Sequence, residues 1–262
     1  RCRITIQSLL CPLTQTPWVF HVKHFSRHRI GANSSPTDSP QIFSPSETKQ
    51  FKKICSSLRI NLSDDMIEKF QAYLALLLEW NKRIHLVSKG DATTDRILRH
   101  FVDSLSVFKV LDVPRDANLL DLGAGAGFPS IPIKIVSENV RLTLVESIHK
   151  KTLFLQKLSQ VLKLQKISIL NQRVERLANQ PDLKERFDLV VAKAMGKLKD
   201  VIRLSMPFLK TGGLLMAYKG KGVRKEIEEM GSLKDCRIRD VVKIEIPEMD
   251  LLRWLVVIEK VE

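Results

Sequence analysis

The residues with the clearest chemical potential form a glycine-rich turn that follows a short apolar run. Residues 119–122 are apolar apart from Asp121, and Gly123, Gly125 and Gly127 come next. Glycine lets a backbone turn sharply and approach a ligand closely, and a helix that begins after the turn offers free N–H groups. Glu146 ends the next apolar run, at the offset of about 20 residues where nucleotide-binding folds place a ribose-binding carboxylate. The pattern predicts a cradle for a nucleotide-containing cofactor.

Two cofactor classes use such a cradle, the nicotinamide dinucleotides and S-adenosylmethionine (SAM). Phe128 stands where the third glycine of G-x-G-x-x-G would pack close to a strand beneath a pyrophosphate. The carboxylate of Asp121 would repel a pyrophosphate, whereas it would attract the amino group of SAM, directly or through water. The residues therefore favour SAM. The weaker alternative is a simple tight turn with Glu146 as a solvated strand end.

The elements that must position this turn alternate between short apolar strands and helices. Parallel strands are predicted at residues 119–122, 141–145, 167–170, 187–192 and 214–218. Such alternation is typical of a parallel sheet with helices on both faces. The last two apolar runs, 241–246 and 252–258, have only a loop around Pro247 between them, which predicts an antiparallel pair at one edge. The sequence thus predicts an α/β domain over residues 113–262, with a mostly parallel seven-stranded sheet and an antiparallel edge.

The residues before this domain divide into two segments. Residues 46–112 show helical periodicity, with a good helix start at Ser63, and predict a small helical subdomain. The aromatic side chains at core spacing are assigned to packing, namely Phe51, Phe70, Phe101 and Phe108. Residues 1–45 are rich in Ser, Pro, His and Arg, with Asp38 as their only acid, and predict a disordered leader. That leader fits either an organellar transit peptide or a translation begun upstream of the true start.

The composition restricts the class of protein. The 43 basic and 29 acidic side chains give a net charge of +14, which favours a polyanionic partner such as nucleic acid. No apolar run approaches the roughly 18 residues of a membrane-spanning helix, so an integral membrane protein is excluded. The four cysteines lack C-x-x-C spacing, which predicts reduced thiols and no metal site: Cys2, Cys11, Cys55 and Cys236. These features indicate the cytoplasm, or a plastid or mitochondrial matrix if the leader is a transit peptide.

Several short blocks along the chain together resemble one known family. The blocks lie at residues 80–86, 99–105, 121–132, 145–155, 173–175, 187–190 and 212–220. In this order they are similar to those of the bacterial glucose-inhibited division protein B family, which are small-subunit (16S) ribosomal RNA guanine-N7 methyltransferases. The resemblance runs from about residue 62 to residue 262. It implies a Rossmann-like SAM-dependent methyltransferase fold and methyl transfer to N7 of one guanine.

The resemblance also implies which residues hold the cofactor. It places Gly123, Phe128, Val174, Glu175 and Lys193 at SAM. The family usually has Ser-Arg-Ala where this chain has Ala192-Lys193-Ala194. Lysine keeps the charge of arginine but lacks the planar fork of donors that a bidentate contact at this position requires.

The roles expected at the site follow from the chemistry. We expect the backbone from Gly123 through Gly125 to Gly127 at the methionine end of SAM, Glu146 at the ribose hydroxyls, and Val174 and Glu175 beside the adenine. Lys193 is expected to position substrate and cofactor at the end of the fourth strand. Guanine N7 already exposes a lone pair, so no general base is expected, and catalysis would rest on alignment.

A set of basic residues near the strand ends is expected to contact RNA phosphates. The set is Lys197, Lys199, Arg203, Lys219, Lys221, Arg224 and Lys225, with Arg96, Arg99 and His100 from the helical subdomain. For His100 an interface role between the two domains is an equal alternative. The expected partner is small-subunit ribosomal RNA or a ribosomal particle, and the chain is expected to act as a monomer without membrane or metal.

Two other functions remain open from the sequence. One is a SAM-dependent methyltransferase that acts on a small molecule or a protein. The other is a non-catalytic RNA-binding factor of ribosome assembly, with Lys193 as the change that would have cost turnover.

Overall fold

A mostly parallel sheet with one antiparallel strand pair organises the chain in the computed structural model, which describes residues 43–231 and 233–261. Along the chain, its strands are β1 Asn118–Leu122, β2 Arg141–Val145, β3 Ile167–Leu170, β4 Phe187–Lys193, β5 Leu209–Lys219, β6 Cys236–Ile246 and β7 Leu251–Lys260. Their spatial order across the sheet is β3-β2-β1-β4-β5-β7-β6. Neighbouring strands among the first five of the chain, β1 to β5, pair in parallel. Strand β7 lies between β5 and β6 and pairs antiparallel with both. The predicted fold class is confirmed. The expected leader lies largely outside the described residues.

The helices occupy the segments between the strands and the region before them. They are α1 Pro45–Ser57, α2 Asp64–Asn81, α3 Thr94–Leu105, α4 Ser130–Val136, α5 His149–Val161, α6 Val174–Leu177, α7 Leu198–Ser205 and α8 Val223–Glu228. The start predicted at Ser63 is confirmed, because its side chain accepts a hydrogen bond from the amide of Met66 at 3.2 Å and so caps α2.

The N-terminal helices share a hydrophobic core with one face of the sheet. Phe51, Phe70 and Phe101 are fully buried, and the ring of Phe70 lies 5.1 Å from that of Phe51 and 4.9 Å from that of Phe101. The same apolar cluster includes Leu144 of β2 and Val191 of β4. Helices α6, α7 and α8 bury their apolar residues in a second cluster, on the other face of the sheet. The result is a three-layered α/β/α arrangement, and the described residues form one compact unit.

The direction of the strands brings distant residues to one edge of the sheet. Parallel strands β1, β2, β4 and β5 all end at this edge, which we call the carboxyl edge. Because β7 runs antiparallel, with Leu255 opposite Tyr218 and Trp254 opposite Lys219, its first residues lie at the same edge. In the described part of the chain, no helix is long and apolar enough to cross a membrane. That part also contains no cluster of three or more metal-ligating side chains.

Candidate functional site

The glycine-rich loop between β1 and α4 adopts a backbone conformation that side chains disfavour. Gly123, Gly125 and Gly127 have φ angles of +73°, +57° and +94°, all in the left-handed region. A Cβ atom at Gly127 would lie 2.8 Å from both Ile131 Cγ1 and the Tyr73 hydroxyl. At Gly123 and Gly125 the nearest atoms would be 4.0 Å and 3.8 Å away, so the loop is open on the side of these two glycines.

Glu146 fixes the loop from the end of β2. Its carboxylate is buried and accepts hydrogen bonds from the amides of Gly125 at 2.9 Å and Ile148 at 2.8 Å, one on each oxygen. The Asn171 side chain donates to the Glu146 carbonyl at 2.9 Å and holds the backbone. A carboxylate has about four lone-pair sites, so each oxygen of Glu146 retains acceptor capacity for a ligand hydroxyl.

Asp121 lies beneath the loop and is completely buried. Its Oδ2 atom accepts a hydrogen bond from the Ser130 hydroxyl, whereas Oδ1 has no hydrogen-bond partner within the described residues. Burial raises the pKa of Asp121 to about 7, although the bond from Ser130 and the charge of Lys193 oppose the rise. A buried, unsatisfied carboxyl oxygen costs free energy. A cationic donor bound in the loop would supply the missing partner. Ser130 was not assigned to the site from the sequence.

Phe128 sits in an aromatic stack that connects the loop to the N-terminal helices. Its ring lies 5.5 Å from that of Tyr73 on α2 and 5.1 Å from that of His100 on α3, and both pairs are stacked. The Tyr73 hydroxyl also donates to the carbonyl of Ala126 inside the loop. Sequence analysis missed Tyr73, because its position on α2 is typical of a core residue. The structure shows that α2 and α3 hold one side of the loop.

Lys193, at the end of β4, belongs to a buried ion cluster. Its Nζ atom lies 2.8 Å from Asp103 Oδ2, and Arg253 of β7 donates to both oxygens of the same carboxylate at 2.8 Å. Nζ also lies 5.3 Å from the centre of the Phe128 ring. Sequence analysis missed Asp103 and Arg253. The signals for Asp103 were its acidic side chain among the apolar positions of α3 and its place in the family block at residues 99–105.

The ion cluster sets the protonation of its members and neighbours. Burial alone would raise the pKa of Asp103, but Lys193 and Arg253 outweigh it and hold the pKa at about 2. Burial lowers the pKa of Lys193, against the attraction of Asp103. Burial and the charge of Lys193 lower the pKa of His100 to about 4, so this imidazole is neutral at pH 7.

The two residues expected beside the adenine have different environments. Val174 begins α6 and is buried in the same apolar cluster as Leu122 and Val145, which are the last residues of β1 and β2. Glu175 follows it and is exposed. Both therefore lie on the segment that follows β3, and only Val174 packs against the strand ends.

Most of the basic residues predicted to contact RNA are exposed after β4 and β5. These are Lys197, Lys199, Arg203, Lys221, Arg224 and Lys225. Arg224 places its guanidinium 5.0 Å from the centre of the Trp254 ring. Arg203 and Lys225 have acidic neighbours at 3.9 Å and 3.6 Å, namely Asp200 and Glu229.

Lys219 does not fit the predicted phosphate contact. Its side chain is buried, and its Nζ atom lies 2.7 Å from Glu226 Oε2 and 2.9 Å from the carbonyl of Gly196. Glu226 also accepts the amide of Leu198 at 2.6 Å, so the pair ties α8 to the start of α7. Lys219 is thus a structural residue, because its ammonium is already paired inside the protein.

The three basic residues named on α3 lie around a cleft. Arg96, Arg99 and His100 line a space of about 250 Å³ together with Arg253. Arg99 donates to the carbonyl of Asp250, the residue before β7, and its NH1 atom lies 3.4 Å from the carboxylate of Asp250. The ring of His100 packs on Phe128, as the interface role expects, and it also borders the cleft. Contact between His100 and RNA stays a prediction.

Comparison with known proteins identifies the family. The family model of the rRNA small subunit methyltransferase G matches residues 66–252. The chain belongs to this family. The resemblance seen in the sequence blocks is therefore confirmed.

Relatives in this family cover most of the chain. The Ribosomal RNA small subunit methyltransferase G of Caldanaerobacter subterraneus subsp. tengcongensis is 37% identical over 209 residues, which cover 79% of this chain and 87% of that protein. The protein of the same name from Acetivibrio thermocellus is 36% identical, over 78% of this chain and 85% of its own length. Among solved structures, a variant of MtNAS in complex with S-adenosylmethionine has a TM-score of 0.51 at 14% identity. The match covers 83% of this chain and 90% of that one. This last likeness shows the fold alone.

Proposed function

We propose that this chain is a SAM-dependent methyltransferase that transfers a methyl group to N7 of a guanine in small-subunit (16S) ribosomal RNA. Membership of the family supports the substrate class, since relatives covering about four fifths of the chain carry that name. The structural observation that carries the proposal is the buried Oδ1 atom of Asp121, which has no hydrogen-bond partner among the described residues and lies under an open glycine loop. A cationic ligand in this loop would satisfy it.

The residues around the loop fit the parts of SAM. Asp121 would accept a hydrogen bond from the amino group, and the open backbone at Gly123 and Gly125 would contact the methionine end. Glu146 would accept hydrogen bonds from the ribose hydroxyls with its remaining lone pairs. Val174 and Glu175 would border the adenine. When bound, SAM supplies a methyl group on a sulfonium, which N7 takes with its lone pair while sulfur keeps the bonding electrons.

The protein's contribution to this reaction is alignment. N7 carries no proton, so no side chain has to remove one before the transfer. Phe128 is held between Tyr73 and His100, and Lys193 is held by Asp103. Rigid placement of two reactants gives effective molarities of about 10⁵ M or more. These positioning contacts would therefore contribute most of the rate acceleration.

The exposed cations after β4 and β5 would bind the RNA backbone. Lys197, Lys199, Arg203, Lys221, Arg224 and Lys225 supply positive charge beside the loop, whereas Lys219 is already paired. We further propose that the chain acts as a monomer on small-subunit RNA or its particle. It would act in the cytoplasm, or in a plastid or mitochondrial matrix if a transit peptide directs it there.

The test measures methyl transfer and cofactor binding together. Radiolabelled SAM is incubated with small-subunit RNA, and with the assembled subunit, from cells that lack this modification. We expect label in N7-methylguanine at one position, mapped by strand scission at the modified base. Glu146→Ala should weaken SAM binding in calorimetry and remove the label.

Other outcomes identify the alternatives. SAM binding without incorporation into any RNA or particle would indicate the non-catalytic assembly factor. Label in a small molecule or a protein, insensitive to salt, would indicate a different substrate class, because RNA binding weakens steeply as salt rises.

A further inference from the structure

A cleft of about 250 Å³ opens between helix α3 and the beginning of β7. Its lining includes the carboxylate of Asp91, three guanidinium groups and an imidazole: Arg96, Arg99, Arg253 and His100. Leu252 adds an apolar wall. None of the roles expected from the sequence explains why a carboxylate and an apolar wall share this space with the arginines.

The cleft adjoins the glycine-rich loop. His100 lines the cleft and stacks on Phe128 of the loop at 5.1 Å. Asp103 also lines the cleft and lies 2.8 Å from Lys193 at the end of β4. The cleft and the loop therefore lie side by side, and His100 contacts both.

The lining fits a purine base better than a bare phosphate. A phosphate is bound by donors alone, and the Asp91 carboxylate would repel it. A guanine offers donors at N1 and N2, an acceptor at O6 and two flat faces. Enzymes that modify a base commonly extrude it, read its Watson–Crick edge by hydrogen bonds and stack it on aromatic or apolar side chains. The cleft supplies an acceptor, donors and the neutral ring of His100.

Of the two carboxylates at the cleft, Asp91 is the one with capacity to spare. Both oxygens of Asp103 are taken by Arg253, and Lys193 adds a further contact. Asp91 Oδ2 accepts a hydrogen bond from the Ser88 hydroxyl at 2.6 Å, and its side chain remains 40% exposed. A carboxylate can accept two parallel N–H bonds, as it does from arginine.

We propose that this cleft receives the target guanine and that Asp91 reads its Watson–Crick edge, accepting from N1–H and from the 2-amino group. The base packs against His100 and places O6 toward the arginines. This inference rests on the proposed function and names the substrate pocket of the same site. Adenine is rejected because its N1 is an acceptor that would face the carboxylate.

The test combines removal of one substrate group with one substitution. Once the modified guanine is mapped, RNA with inosine at that single position is made by ligation; inosine keeps N7, O6 and N1–H and lacks only the 2-amino group. Methylation of both RNAs is measured for the wild type, for Asp91→Asn and for the matched control Asp95→Asn. Asp95 is exposed on the first turn of α3 and does not line the cleft.

We expect wild type to lose about tenfold or more in kcat/KM on the inosine RNA, which is the size of one lost base contact. Asp91→Asn should lose a similar factor on the guanine RNA and little more on inosine, since the two changes remove the same contact. Asp95→Asn should keep the wild-type ratio. SAM affinity and thermal unfolding of Asp91→Asn should stay at wild-type values.

The proposal is overturned if Asp91→Asn prefers the guanine RNA over the inosine RNA as strongly as wild type does. The two losses in kcat/KM would then multiply, which means that the two changes remove different contacts. If Asp91→Asn fails to fold, Asp91→Glu, which keeps the charge, replaces it in the test. The proposal is also overturned if Asp91→Glu folds and methylates both RNAs equally well. If wild type methylates neither RNA in any assembly state, the proposed function itself fails, and this outcome is distinct from the others.

Discussion

Two buried ionisable side chains, Asp121 and Lys193, lie at the ends of neighbouring strands. Burial favours the neutral form of each, and so shifts their pKa values in opposite directions. Asp121 is pushed toward its neutral form, with a pKa of about 7, whereas the pKa of Lys193 is lowered. Lys193 is ion-paired with Asp103, although its Nζ atom, like Oδ1 of Asp121, has no hydrogen-bond partner in the described structure. Asp121 has no ion-pair partner among the described residues. The carboxyl is therefore the group whose charge a bound ligand would change.

Asp121 predicts a pH dependence of SAM binding. The cationic amino group of SAM pairs with the carboxylate form, so affinity should rise as pH increases through about 7, the pKa of Asp121. Between about pH 5.5 and pH 7 the ionised fraction grows about 16-fold, and the dissociation constant should fall by about that factor. Asp121→Asn should bind more weakly at pH 7 and show a flat profile in calorimetry.

The control for this profile is Asp112→Asn, because Asp112 is an exposed aspartate before β1. It should keep the wild-type pH dependence. An unchanged profile in Asp121→Asn would remove Asp121 from the cofactor site.

Helix α3 connects the N-terminal helices to three strands of the sheet. Asp103 contacts Lys193 of β4 and Arg253 of β7, and the Ser104 carbonyl accepts the Tyr218 hydroxyl of β5 at 2.7 Å. The sequence predicts a domain boundary at residues 112–113. Asp103 lies before this boundary, and all three strands lie after it. The helical segment thus forms part of the site rather than a separate appendage to it.

The Asp103 cluster predicts a large loss of stability when its carboxylate is removed. Asp103→Asn leaves the charges of Lys193 and Arg253 buried beside each other, and breaking such a pair costs about 3–5 kcal/mol. Urea denaturation should show this loss at pH 7, where the depressed pKa keeps Asp103 ionised. Adding Lys193→Met should recover part of it. A loss below about 1 kcal/mol would contradict the buried cluster.

The loop predicts a different response at Gly127 than at a glycine elsewhere. Gly127→Ala places a side chain in the left-handed region and 2.8 Å from Ile131 and Tyr73. The unfolding free energy should fall by about 2–4 kcal/mol, from backbone strain and overpacking together. SAM binding should weaken with it.

Gly90→Ala is the matched substitution. Its Cβ would meet nothing closer than 3.9 Å, and its backbone is not left-handed. Denaturation curves should change by less than about 0.5 kcal/mol there. Equal losses at the two glycines would show that the loop has no special conformation.

The chain as a whole carries a surplus of positive charge, and part of that surplus is exposed in the segments that follow two parallel strands. The net charge is +14, and Lys197, Lys221 and Arg224 are exposed in the segments after β4 and β5. Charges that contact phosphates release counterions, so they determine how steeply RNA binding depends on salt.

Replacing these three residues with alanine predicts a smaller salt dependence. If each contacts one phosphate, the slope of log K against log salt should fall by about 2 in magnitude, given roughly 0.7 per contact on single strands. Filter binding over a salt series measures the slope. Arg115→Ala, at the opposite edge before β1, should leave it unchanged. A uniform change in all variants would indicate a non-specific effect of net charge.

Local patterns in the chain were sufficient for the strands, the glycine loop and the antiparallel edge. The alternation of apolar runs with helices depends on residues close in sequence, as do the left-handed positions at Gly123, Gly125 and Gly127. The family blocks added the residues expected around the loop, because they preserve the order of these local features.

Side-chain pairing required the folded chain. Arg253 lies 150 residues after Asp103, and Tyr73 lies 53 residues before the carbonyl it contacts in the loop. Lys219 was misassigned for the same reason, since composition does not show that its ammonium meets Glu226. Periodicity encodes which face of an element is buried, but the partner of a buried charge depends on strand order and register, which arise only when distant elements pack together.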